Sequence, residues 1–257
     1  MALSVELEAD AAAEAYIRSG TLLTSLNPMS QVEKGAHGSY LLVSNVPLPT
    51  FNGVLTLERV QDEPEIRRLA ASVAGRGVPW SIGVRGEATA GVRAVAAQYG
   101  LTASVSQPMM IRPLGDFRPA PSGGTDVVIR PAGRADRTAY LEILSAGFGF
   151  AESISAMVMP KAIFEAPWAT CYLAEADGVP VAIGLGIHTG DHVGVFNITT
   201  VSSHRRRGYG RALTERVVAD GAACGARTAY LQPSEEAFRL YESLGFRVVE
   251  QWTMLYA

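Results

Sequence analysis

The stretch Thr199-Thr-Val-Ser-Ser-His-Arg-Arg-Arg-Gly-Tyr-Gly-Arg-Ala-Leu213 gathers glycines and arginines into one turn. Gly208 and Gly210 allow backbone conformations in which successive N–H groups converge on one point. A helix starting there adds its unpaired N–H groups and its dipole. Such a turn cradles a pyrophosphate. Arg205, Arg206, Arg207 and Arg211 concentrate positive charge that suits phosphate oxygens. The alternative is a solvated basic turn. Further along stands Tyr241, in Leu240-Tyr-Glu-Ser-Leu-Gly-Phe246. A phenol with an ordinary pKa of about 10 is protonated at pH 7 and can give a proton to a departing anion. The same tyrosine could simply pack.

What surrounds these residues narrows the chemistry. No Gly-x-x-x-x-Gly-Lys-Ser/Thr occurs, and no Gly-x-Gly-x-x-Gly opens a βαβ unit, which disfavours nucleoside triphosphates and dinucleotides. His188 and His192 flank a hairpin turn and His204 lies in the arginine turn, with no fitting third ligand, so no metal site is expected. Cys171 and Cys224 lack metal-ligand spacing and read as buried free thiols.

These residues need elements to hold them. The strand Val193–Val201 precedes the turn, and a helix from Arg211 to about Cys224 follows, with Leu213, Val217 and Val218 on its apolar side. Then come a strand Thr228–Gln232, a helix Glu235–Leu244 carrying Tyr241, and a strand Val248–Leu255. Upstream, Val127–Arg130 reads as a strand and a helix opens after Asp136. Thr170–Glu175 and Val181–Ile187 form a hairpin around Asp177-Gly178. An antiparallel meander followed by alternating helices and strands predicts a mixed α/β sheet, an α+β arrangement with some parallel pairing.

Arg205-x-x-Gly208-x-Gly210 followed by Leu240-Tyr241-Glu-Ser-Leu-Gly245-Phe246 resembles the GNAT (GCN5-related) N-acetyltransferase family, over about residues 126 to 257. The resemblance implies the GNAT fold and an acyltransferase that moves an acetyl group from acetyl-CoA to a primary amine, by direct attack in a ternary complex. It implies pantetheine beside Thr199, Thr200 and Val201, and pyrophosphate on the backbone from Arg206 through Arg207, Gly208, Tyr209 and Gly210 to Arg211, with Arg205 opening the motif. Tyr241 matches the family's general acid towards the CoA thiolate. Ser234 stands where the family often has a cofactor-binding Asn, and Ser202 where it usually has a proline.

The family often keeps a carboxylate base on the strand before the turn, and Val193–Val201 has no Asp or Glu. Asn197 could orient a water, with Glu152 and Glu165 as looser candidates. The acceptor remains open, as a small-molecule or peptide amine, because the variable segment Gly147–Trp168 would shape its pocket. Phe148, Phe150, Met157, Met159, Phe164 and Trp168 make that segment apolar. The rival reading is a non-catalytic acyl-CoA-binding or scaffold protein.

A chain of 257 residues, 48% apolar and 18% charged, has material for two packed domains. Pro and Gly recur without apolar periodicity from Arg112 to Thr125, which sets the expected ranges: a first domain at 1–115, a linker at 116–125 and a second domain at 126–257. Aligning Gly100 with Gly245 superposes helix and strand patterns, so the first domain reads as a tandem, GNAT-like copy. Its chemistry is missing: Ala96 stands where Tyr241 would, and no Arg-x-x-Gly-x-Gly precedes its helix. It reads as a structural buttress, with completing the sheet, walling off the acceptor site or mediating a homodimer as the other roles open to it. A net charge of −3 argues against nucleic-acid and anionic-membrane partners. The acidic first ten residues and the lack of a long apolar run predict a cytoplasmic protein without export signal or membrane span.

Overall fold

The computed structural model describes residues 2–115 and 127–257. The expected linker 116–125 lies outside the described residues. Two compact units emerge: residues 1–110 with 232–236 and 248–257, and residues 111–231 with 237–247.

In the first unit, α1 (Ala2–Ser25) is followed by β1 (Gln31–Lys34), β2 (Ser39–Val43), β3 (Asn52–Thr56), α2 (Glu63–Ala74), β4 (Ser81–Arg85), α3 (Ala90–Gln98) and β5 (Ala103–Pro113). The long α1 had no counterpart in the sequence reading. It buries Ala9, Ala12, Ala13 and Ile17, an i, i+3, i+4, i+8 stripe. Helix α2 starts where Asp62 accepts a hydrogen bond from the Glu65 N–H (2.8 Å), with Pro64 in the first turn. Its face Ile66, Leu69, Ala70 and Val73 packs with Leu41, Val54, Ile82 and Val84. Each Val, Leu or Ile among them contributes roughly 1.5–3 kcal/mol on burial. Strands β1, β2 and β3 form an antiparallel meander, and β3 pairs parallel with β4 across the α2 crossover.

The second unit has the same succession of three meander strands, helix, strand and helix, preceded by a strand and two helices. Its elements are β6 (Val127–Pro131), α4 (Arg137–Phe148), α5 (Glu152–Val158), β7 (Ala169–Ala176), β8 (Val179–Thr189), β9 (His192–Thr200), α6 (Tyr209–Ala223), β10 (Thr228–Leu231) and α7 (Phe238–Ser243). Strands β6 to β9 are antiparallel neighbours, and β9 pairs parallel with β10 across α6. Helices α4 and α6 both pack on β8 and β9. Strand β8 is accordingly buried residue after residue from Val181 to Ile187, as a strand covered on both faces is. The helix expected over Glu235–Leu244 is split into a 3-10 turn, Glu235–Ala237, and the short α7.

The last strand, β11 (Arg247–Tyr256), belongs from Val248 onward to the first unit, where it lies between β4 and β5. It is antiparallel to β4, with Trp252 opposite Arg85 and Leu255 opposite Ile82. The units therefore do not follow the contiguous ranges 1–115 and 126–257. Each unit holds the mixed sheet expected from the sequence. The glycines aligned there close their helices alike. Gly100 (φ 76°) and Gly245 (φ 82°) are left-handed, and the next N–H reaches back five residues, Leu101 to Ala96 and Phe246 to Tyr241, both at 3.0 Å. Among the described residues, no single helix is long and apolar enough to cross a membrane.

Candidate functional site

Strand β9 leads into the site and is irregular just before it. Opposite β8, Leu185 faces Phe196 while Ile183 faces Thr199, so β9 carries one residue more than its partner. The bulge centres on Asn197, which sits at φ 51° and donates from its side-chain nitrogen to Met159 Sδ (3.4 Å). On the other edge, β10 pairs only with the start of β9, Thr228–Tyr230 against His192–Gly194. Strand β9 runs on past this ladder to Thr200, and Val201 is tied to Val181 (3.0 Å). Thr199, Thr200 and Val201 are half-buried there. Helix α4 approaches closely at Gly147, where any side chain would collide with that of Thr199.

Past Val201 the chain makes a 3-10 turn, Ser202–His204, and then reverses through two left-handed residues, Arg206 (φ 61°) and Gly208 (φ 85°). Gly208 caps α6 and has no side chain to offer its N–H groups. The first bond of the ladder runs from Ala212 N–H to Gly208 C=O (3.0 Å). The N–H groups of Tyr209, Gly210 and Arg211 precede it, at the positive end of a helix of 15 residues. That end suits an anion. One expectation needs correction: Gly210 is helical, and a methyl there would meet Ile198 and Leu240 at 3.7 Å, an ordinary contact. Conformational freedom is used at Gly208, and Arg206 supplies the second left-handed position.

The arginines divide their tasks. Arg206 and Arg207 are exposed. Arg205 Nε donates to Thr200 O (3.2 Å) and thereby ties the turn to the end of β9. Arg211 Nη2 donates to Ser243 Oγ (2.5 Å), which donates to Leu240 O (2.6 Å), bracing α6 against α7. Tyr209 contributes only backbone to the turn, since its ring is buried and stacked near His204.

Tyr241 on α7 is 7% exposed, its ring edge-on to Phe246. Burial pushes its phenol up to about 12. Thr214, missed in the sequence, is fully buried on α6 and donates to Gly210 O (2.8 Å). Ser234 is exposed and lies in the segment 232–236 grouped with the first unit, whereas Tyr241 and the turn lie in the second.

Other candidates fall into packing or surface roles. Glu152 is exposed, and Glu165 is exposed and paired with Arg134 (3.1 Å). His188 is held neutral more strongly than usual by burial, and His192 bonds Asp191 (2.7 Å). Among the described residues no three His, Cys, Asp or Glu side chains gather as a metal site. Cys171 is buried, with its thiol pushed up to about 12 by that burial. Cys224, expected buried, is exposed at the end of α6 because the helix stops there. In the variable segment, Met159 is buried and Phe164 stacks edge-on to Tyr140, while Phe148 and Met157 are exposed, Phe148 stacking with Phe150.

In the first unit, carboxylates stand at the start of α2, the helix aligned with α6 in the sequence. The start of α2 is capped by Asp62, with Glu63 and Glu65 in its first turn. Glu65 accepts from the His37 and Ser39 N–H groups at 2.8 and 2.9 Å. Ala96, aligned with Tyr241, is fully buried and has no polar group.

Residues 137–246 match the Acetyltransferase (GNAT) family. No curated protein matches the sequence. Among solved structures, a GCN5-related N-acetyltransferase from Kribbella flavida is similar over 96% of this chain and 94% of its own, at 19% identity and a TM-score of 0.70. A putative GNAT-family acetyltransferase from Novosphingobium aromaticivorans follows at 19% identity and 0.57, over 91% and 94% of the two chains. A GCN5-related N-acetyltransferase from Sphaerobacter thermophilus stands at 18% identity and 0.56, over 85% and 79%. At these identities the likeness is one of fold.

Proposed function

We propose, from the match of residues 137–246 to the Acetyltransferase (GNAT) family, that the protein transfers an acetyl group from acetyl-CoA to a primary amine. The observation carrying the proposal is the end of β9. It outruns β10 and turns, through Arg206 and Gly208, into an uncapped helix N-terminus. A long substrate with a phosphate-bearing end fits that combination: its amide-rich arm along the free edge of β9 at Thr199, Thr200 and Val201, its pyrophosphate on the N–H groups from Arg206 to Arg211.

In this reading Tyr241 is the acid. Amine attack on the thioester carbonyl breaks the carbon–sulfur bond, and the electron pair left on sulfur takes the phenol proton. A phenol pushed up to about 12 is fully protonated at neutral pH, as an acid must be. The amine arrives as an ammonium ion and loses its proton to water, β9 having no carboxylate to take it. The first unit is, on this proposal, a second copy that has given up the cofactor: carboxylates at the start of α2 repel phosphate, and Ala96 cannot donate a proton.

The test is calorimetric titration with acetyl-CoA of the wild type and of Gly208→Trp. Binding by the wild type and none by the folded variant supports the reading and opens a screen of acceptor amines. A folded wild type that binds no acetyl-CoA overturns it.

A further inference from the structure

We propose that the acceptor is a monoamine on an uncharged apolar skeleton with a flat ring, an arylalkylamine, and that the stacked rings of Phe148 and Phe150 select it. The inference rests on the acetyltransferase reading of the second unit and names the substrate class for that site.

Both rings stand at the corner where α4 gives way to α5. Gly149 (φ 71°) ends α4 in a left-handed turn, and the N–H groups of Gly149 and Phe150 both reach back to Ser145 O, at 2.9 and 3.2 Å. The rings on either side of that glycine lie face to face, 5.6 Å between centroids and 16° from parallel. The corner is fastened from two directions. The Ser145 hydroxyl donates to the hydroxyl of the fully buried Ser155 (2.7 Å), and the Arg137 guanidinium donates to the Ala156 and Met159 carbonyls at 3.2 and 3.3 Å. Within this firm frame Phe148 is 45% exposed and Phe150 is half-buried. An aromatic pair held rigidly in the open marks a surface that binds something apolar.

Two contacts tie this corner to β9. Gly147, the residue before Phe148, packs so close to Thr199 that any side chain there would collide with it. Met159, just past α5, is fully buried, and its sulfur accepts from Asn197 at the bulge. The corner therefore sits against β9 from Asn197 to Thr199. With the cofactor arm running along Thr199, Thr200 and Val201, its thioester end comes to this same stretch. Charge then narrows the acceptor. From Gly147 to Pro160 the chain carries one charged residue, Glu152, exposed at the start of α5. A polyamine or an amino sugar needs a carboxylate for each of its ammonium groups, and an amino acid needs a cation for its carboxylate. The corner supplies neither set. A ring needs flat apolar faces, and stacking on an aromatic pair adds to simple burial.

The test uses the full chain and reads thiol release from acetyl-CoA with phenylethylamine, ethylamine or spermidine as acceptor, alongside calorimetric affinity for acetyl-CoA. In the wild type kcat/KM should be at least roughly tenfold higher for phenylethylamine than for ethylamine or spermidine, the scale of discrimination an apolar surface provides. Phe148→Ala should remove most of that preference, lowering the phenylethylamine value roughly tenfold while the ethylamine value and the acetyl-CoA affinity stay within about twofold. Phe148→Leu, which keeps bulk without a flat face, should fall between the two and carries the test if Phe148→Ala melts early. Spermidine as the best acceptor, equal rates with phenylethylamine and ethylamine, or a Phe148→Ala loss shared equally by both amines overturns the proposal. A wild type that binds acetyl-CoA and acetylates none of the three overturns it as well. A folded wild type that binds no acetyl-CoA instead overturns the reading on which it rests.

Discussion

Arg85 in β4 grips Glu250 in β11 with two hydrogen bonds, Nε to Oε2 at 2.7 Å and Nη2 to Oε1 at 3.0 Å. The arginine side chain is 3% exposed, and it also donates to Asp10 (2.6 Å) and to Leu57 O (2.8 Å). A buried guanidinium without its main partner is costly. Glu250→Gln should lower stability by about 3 kcal/mol, read from urea unfolding. An unchanged midpoint would mean that Asp10 alone neutralises Arg85.

Asp136 responds to acid. Two hydrogen bonds from Arg130 (2.9 and 2.8 Å) hold its carboxyl below the ordinary 3.8, and a bond from Gly133 N–H adds to this against partial burial. A carboxylate depressed in the folded state contributes stability that is complete above its unfolded pKa of about 3.9 and disappears as pH falls through the folded value. The stability gap between wild type and Asp136→Asn should therefore be steady from neutral pH to about pH 5 and close below about pH 4. Chemical unfolding at a series of pH values measures it.

Tyr241→Phe should cut kcat about a hundredfold and leave acetyl-CoA affinity intact. Because burial pushes the phenol up to about 12, Tyr241 should produce no alkaline decline of kcat below pH 10. A wild-type profile with a decline near pH 8 that Tyr241→Phe abolishes would contradict the protonated phenol.

The two glycines of the turn should part company. Gly208 is left-handed, so Gly208→Ala costs about 1 kcal/mol in strain and weakens acetyl-CoA binding. Gly210 is helical with room for a methyl, and Gly210→Ala should be neutral or stabilising by up to about 1 kcal/mol. Thermal melting and titration of both variants decide it. Equal losses would mean that the turn rearranges on binding.

The turn was legible because its information is local: glycines, arginines and the start of an amphipathic helix lie side by side in the chain. Most helices and strands of the second unit were legible for the same reason, each announcing itself by its own periodicity. Arg206 was not, since nothing in three consecutive arginines says which adopts a left-handed conformation. The bulge at Asn197 was hidden inside an apparently regular strand, its cause being the register against β8. Helix α1 is rich in alanine, which favours helix without drawing an obvious apolar stripe. Most telling is β11. Its apolar run marks a strand, and such a run reads the same whichever unit the strand completes.

That last strand also sets a timetable. Residues 248–257 leave the ribosome after every element of the second unit, yet β4 needs them as its neighbour and Arg85 needs Glu250. Throughout synthesis the first unit carries an open strand edge and an arginine without Glu250, a state that invites pairing with the wrong chain. The first half of the sequence cannot mature first: it waits for the second.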